Sequence, residues 1–92
     1  MKIIFYHDPG HGWYAVKRAT LIELGIESLI TNCSYQRGGT VYLEEDCDAT
    51  TFFDAAQRNG IKVEVKRDSY ADRSPVRSYE NFKSIFQELT IV

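Results

Sequence analysis

The run His7-Asp8-Pro9-Gly10-His11-Gly12-Trp13 constrains the fold of this chain more than any other feature. Proline fixes its own backbone angle, and glycine accepts conformations closed to other residues, so the chain turns between Asp8 and Gly12. Apolar, β-favouring residues stand on both sides of that turn. Residues 2–6 put Ile3 and Phe5 on one face of a strand and Ile4 and Tyr6 on the other. Two apolar faces predict a central strand, and residues 13–16 then run back beside it as a second, short one.

A brief helix is expected over residues 18–24, with Ala19, Leu21 and Leu24 sharing a face. Gly25 followed by Ile26 reads as its left-handed C-terminal cap with the accompanying hydrophobic contact, although no good N-cap precedes it. Residues 29–36 and 40–45 flank Arg37-Gly38-Gly39, which predicts a hairpin. Asp48 is expected to N-cap a second helix over residues 49–58 that turns Phe52, Phe53, Ala55 and Ala56 inward, and Asn59-Gly60-Ile61 ends it as Gly25-Ile26 ends the first. Residues 61–66 alternate like a strand with one buried and one wet face. The composition then shifts to Arg, Asp, Ser and Tyr, so residues 67–78 read as a long connection, of a kind usually functional or mobile. Ser78 is expected to cap a C-terminal helix carrying Phe82, Ile85, Phe86 and Leu89 at helical spacing, with Glu80 in its first turn. The apolar tail Thr90-Ile91-Val92 leaves monomer and homodimer both open.

At 92 residues the chain has room for one modest core, hence one domain over residues 1–92. The expected class is α+β: a largely antiparallel sheet of four or five strands packed against two or three helices, in the order ββαββα followed by a strand and a terminal helix. Cys33 and Cys47 have neither the number nor the spacing of a disulfide framework or zinc knuckle. Continuing the hairpin would set Cys33 opposite Glu44, with Cys47 beyond the strand end, so no bridge is expected and both read as packing residues. The net charge of -2, with both signs intermixed, argues against a global grip on nucleic acid and leaves only a local basic patch for that purpose. No apolar run approaches the roughly 18 residues of a bilayer span, so no membrane partner is expected. The opening MKIIFYHDPG lacks a long apolar region and a small-residue cleavage site, which gives the expectation of a cytoplasmic protein.

Three surfaces carry possible chemistry. His7, Asp8 and His11 are a weak candidate for a divalent metal, with Glu44, Glu45, Asp46 and Asp48 completing an oxygen-rich shell if the fold brings them near. The competing reading has Asp8 bonding the turn amides and the histidines packing on Trp13. The acidic run Glu44, Glu45, Asp46 and Asp48 either stabilises a helix N-terminus or offers a negative patch to a basic partner surface. Tyr35 and Arg37 at the hairpin tip, with Arg67, Tyr70, Arg73, Arg77 and Tyr79, interleave cations with rings. That mixture makes interface hot spots and base-stacking platforms, or else a solvated loop whose arginines pair with Asp68, Asp72 and Glu80. There is no nucleophile elbow, no glycine-rich phosphate loop and no H-E-x-x-H helix, so no catalytic residue and no cofactor is assigned.

The strings YHDPGHGW, SYQRGGTVYLEEDCDAT and DRSPVRSYENF together resemble a family of small uncharacterised proteins carried by bacteriophages, prophages and other mobile elements; they span more than a third of the chain. The family carries no established activity and so transfers no site residue. The resemblance implies a setting, in which small accessory proteins bind a host macromolecule to block a defence such as a CRISPR or restriction system, or to redirect transcription. The expectation is therefore a non-enzymatic phage-type accessory protein that inhibits or regulates a host partner, foremost a host protein, through Tyr35, Arg37, Glu44, Glu45, Asp46, Arg67, Tyr70, Arg73 and Arg77. The alternatives are a nucleic-acid-binding regulator using Tyr35, Arg37, Arg67, Arg73 and Arg77, and a small metal-dependent enzyme at His7, Asp8 and His11.

Overall fold

In a computed structural model that describes residues 1–86, the opening turn produces an antiparallel hairpin of β1 (Lys2–His7) and β2 (Gly12–Lys17). The chain continues through α1 (Arg18–Glu23), a 3-10 turn at Glu27–Leu29, β3 (Tyr35–Arg37), β4 (Thr40–Glu44) and α2 (Ala49–Arg58). It closes with β5 (Glu64–Tyr70), a second 3-10 turn at Pro75–Ser78 and β6 (Glu80–Asn81). These strands form one sheet of six in the order β5-β1-β2-β4-β3-β6, antiparallel except where β5 runs parallel to β1. The α+β class and the mostly antiparallel sheet match the sequence, with one strand more than expected and β1 central as its two apolar faces require.

Residues directly opposite each other across a sheet share a face. The register Val16 to Val41 and Tyr14 to Leu43 therefore builds one apolar side. Ile3, Val16, Val41 and Leu43 on that side pack with Leu21, Ile26, Ile30, Phe52, Ala55 and Phe82 as the core. Both helices stop where the glycines predict. Gly25 (φ +73°) and Gly60 (φ +66°) adopt the left-handed conformation, and the amides of Ile26 and Ile61 donate to Leu21 and Ala56 carbonyls, each at the sixth-to-first position of a Schellman cap.

The opposite face carries Tyr6 opposite Trp13 and Tyr35 opposite Tyr42, and neither α1 nor α2 covers it. Because β5 lies at one edge and β6 at the other, residues 71–79 must cross this face. Val76 is fully buried beneath the crossing, Arg77 stands 5.4 Å above the Trp13 ring, and Tyr79 packs on Tyr42 at 5.0 Å.

Several expectations give way. The strand placed at residues 61–66 starts at Glu64 and runs to Tyr70, so the supposed connection at residues 67–78 is edge strand for its first third and crossing segment for the rest. Pairing with β1 decides this, since six of its seven side chains are exposed and no buried face guides the strand. The first arm of the central hairpin shrinks to Tyr35–Arg37, because Leu29 belongs to a 3-10 turn and Thr31 and Ser34 are tied to the Asp48 side chain, so that residues 31–34 do not continue the ladder with β4. Asp48 occupies the N-cap position of α2 but makes no side-chain cap hydrogen bond. The capping serine of the late segment is Ser74, whose Oγ accepts from the Val76 amide. No helix follows Ser78 among the described residues: Glu80 and Asn81 pair with β3, Phe82 drops into the core, and Ile85 and Phe86 are exposed. Buried Glu27 draws this segment in by accepting from Ser84 Oγ, the Ile85 amide and Arg18. Leu89 and the tail Thr90-Ile91-Val92 lie outside the described residues. No helix among those described is long and apolar enough to cross a membrane.

Candidate functional site

Asp8 organises the opening turn. Its Oδ1 accepts from the Gly10 and His11 amides at 2.9 and 3.1 Å, and its Oδ2 accepts from the Ser74 amide at 2.9 Å. Arg77 donates to both oxygens, at 2.5 Å from Nε and 2.7 Å from Nη2. The guanidinium first, then the Ser74 amide and the turn amides, hold this carboxyl far below the usual carboxylate range, overcoming the opposing effect of burial. One buried aspartate thus pins the crossing segment to the turn.

The same arrangement overturns the His7, Asp8 and His11 metal reading. Asp8 has no oxygen left to offer an ion. His7 stacks on Phe5 on the helix-covered side and pairs with Asp68, whereas His11 lies against Trp13 on the other side. Among the described residues, the one group of three or more His, Cys, Asp or Glu ligand atoms close enough to share an ion is Cys33, Cys47 and Asp48.

Those cysteines also correct the sequence. Cys33 and Cys47 form a disulfide across 14 positions. The strand that would have carried Cys33 away begins only at Tyr35, because Ser34 Oγ accepts from the Glu44 amide and donates to Asp48, swinging residues 31–33 toward the start of α2.

At this end of the sheet His11, Trp13, Cys33, Tyr35, Glu44, Asp46 and Arg77 line a recess of about 360 Å³. Strand register places Trp13 directly opposite Glu44, and the Tyr35 ring meets Trp13 edge-on at 6.1 Å. Trp13 Nε1 and Glu44 Oε1 are both buried, and neither has a hydrogen-bond partner among the described residues. His11 Nδ1 stands 3.3 Å from Glu44 Oε1 without the alignment of a hydrogen bond. Buried polar atoms are nearly always satisfied, and an orphan costs about 1–3 kcal/mol. One buried donor and one buried acceptor among the recess-lining residues thus stay unmatched among the described residues.

On the helix-covered side of the turn Gly12 leaves room for the Phe5 ring, since a Cβ there would stand 2.3 Å from it. The recess gathers Tyr35, Glu44, Asp46 and Arg77 from the surfaces singled out in the sequence, with His11 from the turn. Glu45 lies beside Gly12 on the helix-covered side, and Arg67, Tyr70 and Arg73 are scattered and exposed along β5 and the start of the crossing. Arg37 stacks on Tyr79 at 5.0 Å, away from the recess. Sequence reasoning missed the indole N–H of Trp13 and the roles of Ser34 and Asp48. The signal available for the first was a buried-type residue with a donor, opposite an acidic run.

The uncovered part of the same face forms a second feature. Tyr6, Tyr42 and Tyr79 touch in series at 5.7 and 5.0 Å, beside a groove of about 380 Å³ lined in part by Lys2, Lys17 and Ala15. Burial first, then the neighbouring Tyr79 and Tyr6, push the Tyr42 hydroxyl above its ordinary value of 10.0.

The chain matches no protein-family model, no curated protein and no solved structure.

Proposed function

We propose that this protein is a non-enzymatic binding module that seats a cationic side chain of a partner protein in the recess at the His11 end of the sheet. The observation that carries this reading is the pair of orphaned atoms, Trp13 Nε1 and Glu44 Oε1. An ammonium or guanidinium group satisfies Glu44, and the main-chain carbonyl of the same partner residue accepts from Trp13. Glu44 and Asp46 give the lining a negative character, because the charge of Arg77 is already matched by Asp8. Tyr35 and Trp13 supply the rigid aromatic surface common to interface anchors. The resemblance to phage accessory proteins points to a host protein as that partner, blocked or redirected without turnover.

The test is capture of partners from nuclease-treated bacterial lysate by wild type and by Glu44→Gln. A stoichiometric protein should be recovered whose affinity falls about tenfold or more in the variant, since a charged hydrogen bond is worth roughly 1.5–3 kcal/mol. Equal capture by both proteins would remove the recess from the interface.

A second reading is favoured by the tyrosine series. Tyr6, Tyr42 and Tyr79, flanked by Lys2, Lys17 and Arg37, form a stacking surface with cations of the kind that holds single-stranded nucleic acid. That reading expects affinity for oligonucleotides that falls steeply with salt.

A further inference from the structure

We propose that Cys33, Cys47 and Asp48, in the reduced protein, form a binding centre for a divalent thiophilic cation of the zinc type. Their two Sγ atoms and one carboxylate oxygen all lie within 4.8 Å of one another. Zinc binds sulfur at about 2.3 Å and carboxylate oxygen at about 2.0–2.2 Å, so small rotations bring all three onto one ion, with a water at the fourth corner of the tetrahedron.

Asp48 supplies the independent argument. It is 2% exposed, yet no lysine, arginine or histidine pairs with it among the described residues; the buried acids Asp8 and Glu27 each have an arginine. Its partners are all neutral: the Thr31 amide at 3.1 Å, Thr31 Oγ1 at 3.0 Å and Ser34 Oγ at 2.6 Å. Buried charges are costly unless paired or bound to a metal, and these neutral donors are the kind of surrounding shell that fixes a metal-binding carboxylate in place. In the disulfide state Cys33 Sγ stands 3.2 Å from Asp48 Oδ2 with no proton to share, so the anion faces a sulfur that cannot compensate it. Thr31 Oγ1 lies 2.9 Å from Cys33 Sγ and 3.5 Å from Cys47 Sγ, within reach of both thiolates.

The chemistry balances with one named co-reactant. A cellular dithiol gives two electrons and two protons to the Cys33–Cys47 bond, becoming a disulfide itself as the bond breaks into two thiols. Metal binding then displaces one proton from each thiol and forms two sulfur–metal bonds. Soft thiolates select zinc over magnesium or calcium. Cys33 also lines the binding recess, so the two states place different groups on one of its walls.

The experiment reduces the full chain with a phosphine, removes the reductant under nitrogen, and titrates cobalt(II) while following the thiolate-to-cobalt charge-transfer absorption. One cobalt per chain is expected, displaced by zinc, with no absorption from the oxidised protein. Cys47→Ser, at an exposed position that leaves the core untouched, should abolish the band. Asp48→Asn should keep it while weakening affinity by at least the roughly 10–100-fold that loss of an outer-shell partner costs, since here a ligand oxygen is removed. Reduced wild type that takes up cobalt no more tightly than Cys47→Ser would overturn the proposal, whether or not Asp48→Asn folds.

Discussion

Asp8 and Asp48 are buried carboxylates at the same end of one sheet, and they are satisfied in opposite ways. Asp8 is locked to a guanidinium from a segment 69 positions away, with backbone amides filling the rest of its shell. Asp48 is held only by an amide and two hydroxyls, beside a pair of sulfurs. The contrast separates structure from capacity. A carboxylate with its own arginine is a clamp that has finished its work, whereas one with neutral partners retains an unspent charge. The first therefore fixes the crossing segment, and the second is where a cation from outside the chain has something to gain.

Asp8→Asn should break the comparison most severely, because it leaves the Arg77 guanidinium over the Trp13 ring without its anion and loosens residues 71–79 from the turn. The signature is in the pH dependence. The folded carboxyl titrates far below the ordinary value of 3.8, so the folded state binds its proton less readily than the unfolded chain. Its contribution to stability is present in full above that ordinary value and is lost as pH falls below it. Thermal melts of wild type and Asp8→Asn should therefore differ most at neutral pH and converge in strong acid. A gap that stays constant down to pH 2 would show that the carboxylate charge is not what matters.

Asp48→Ala comes next. It strands fully buried Ser34 Oγ, at about 1–3 kcal/mol for an unmet buried donor, and removes the charge-assisted bond to the amide of exposed Thr31, so a loss on the order of 3 kcal/mol is expected at neutral pH. Denaturant unfolding measures it. A loss below about 1 kcal/mol would mean that residues 31–34 find partners without Asp48, and that the carboxylate is not the organiser of this corner.

These two residues also mark the limit of what the sequence discloses. The Pro9-Gly10 turn, the alternation of β1 and the glycine caps at Gly25 and Gly60 are local features, each enforced within a few residues, and they are legible. The Asp8 to turn-amide bonds belong with them. The Asp8 to Arg77 clamp is not local, and nothing at Arg77 distinguishes it from Arg73 until the chain has crossed the sheet. Cys33 and Cys47 fail for a related reason. Strand register argues them apart as long as β3 is assumed to be long, and the hydroxyl of Ser34 that delays the start of β3 works through Glu44 and Asp48. The bounds of β5 are not legible because an edge strand is defined by its backbone partner. The spacing of Phe82, Ile85 and Phe86 is helical on paper, but Phe82 alone is buried, and pairing of Glu80 and Asn81 with β3 wins over periodicity. For the site, residue types around the recess were legible, and their convergence was not.

Trp13→Phe probes the ground between the two aspartates with the smallest change. The indole lies under Arg77 and is 2% exposed, so the substitution keeps an aromatic surface for the guanidinium while removing one ring and its N–H. Since that N–H bonds to nothing among the described residues, removing it relieves a desolvation cost that offsets the lost volume, so the net change in stability should stay within about 1 kcal/mol, well short of what Asp48→Ala removes. The acid limb of stability set by Asp8 should keep its shape, because Arg77 remains in place. Partner affinity, measured against the protein captured by wild type, should nevertheless fall about tenfold, as expected when a buried donor is taken from an interface. Retention of full affinity would mean that the Trp13 N–H is a tolerated orphan of the Asp8 clamp and that Glu44 acts without it.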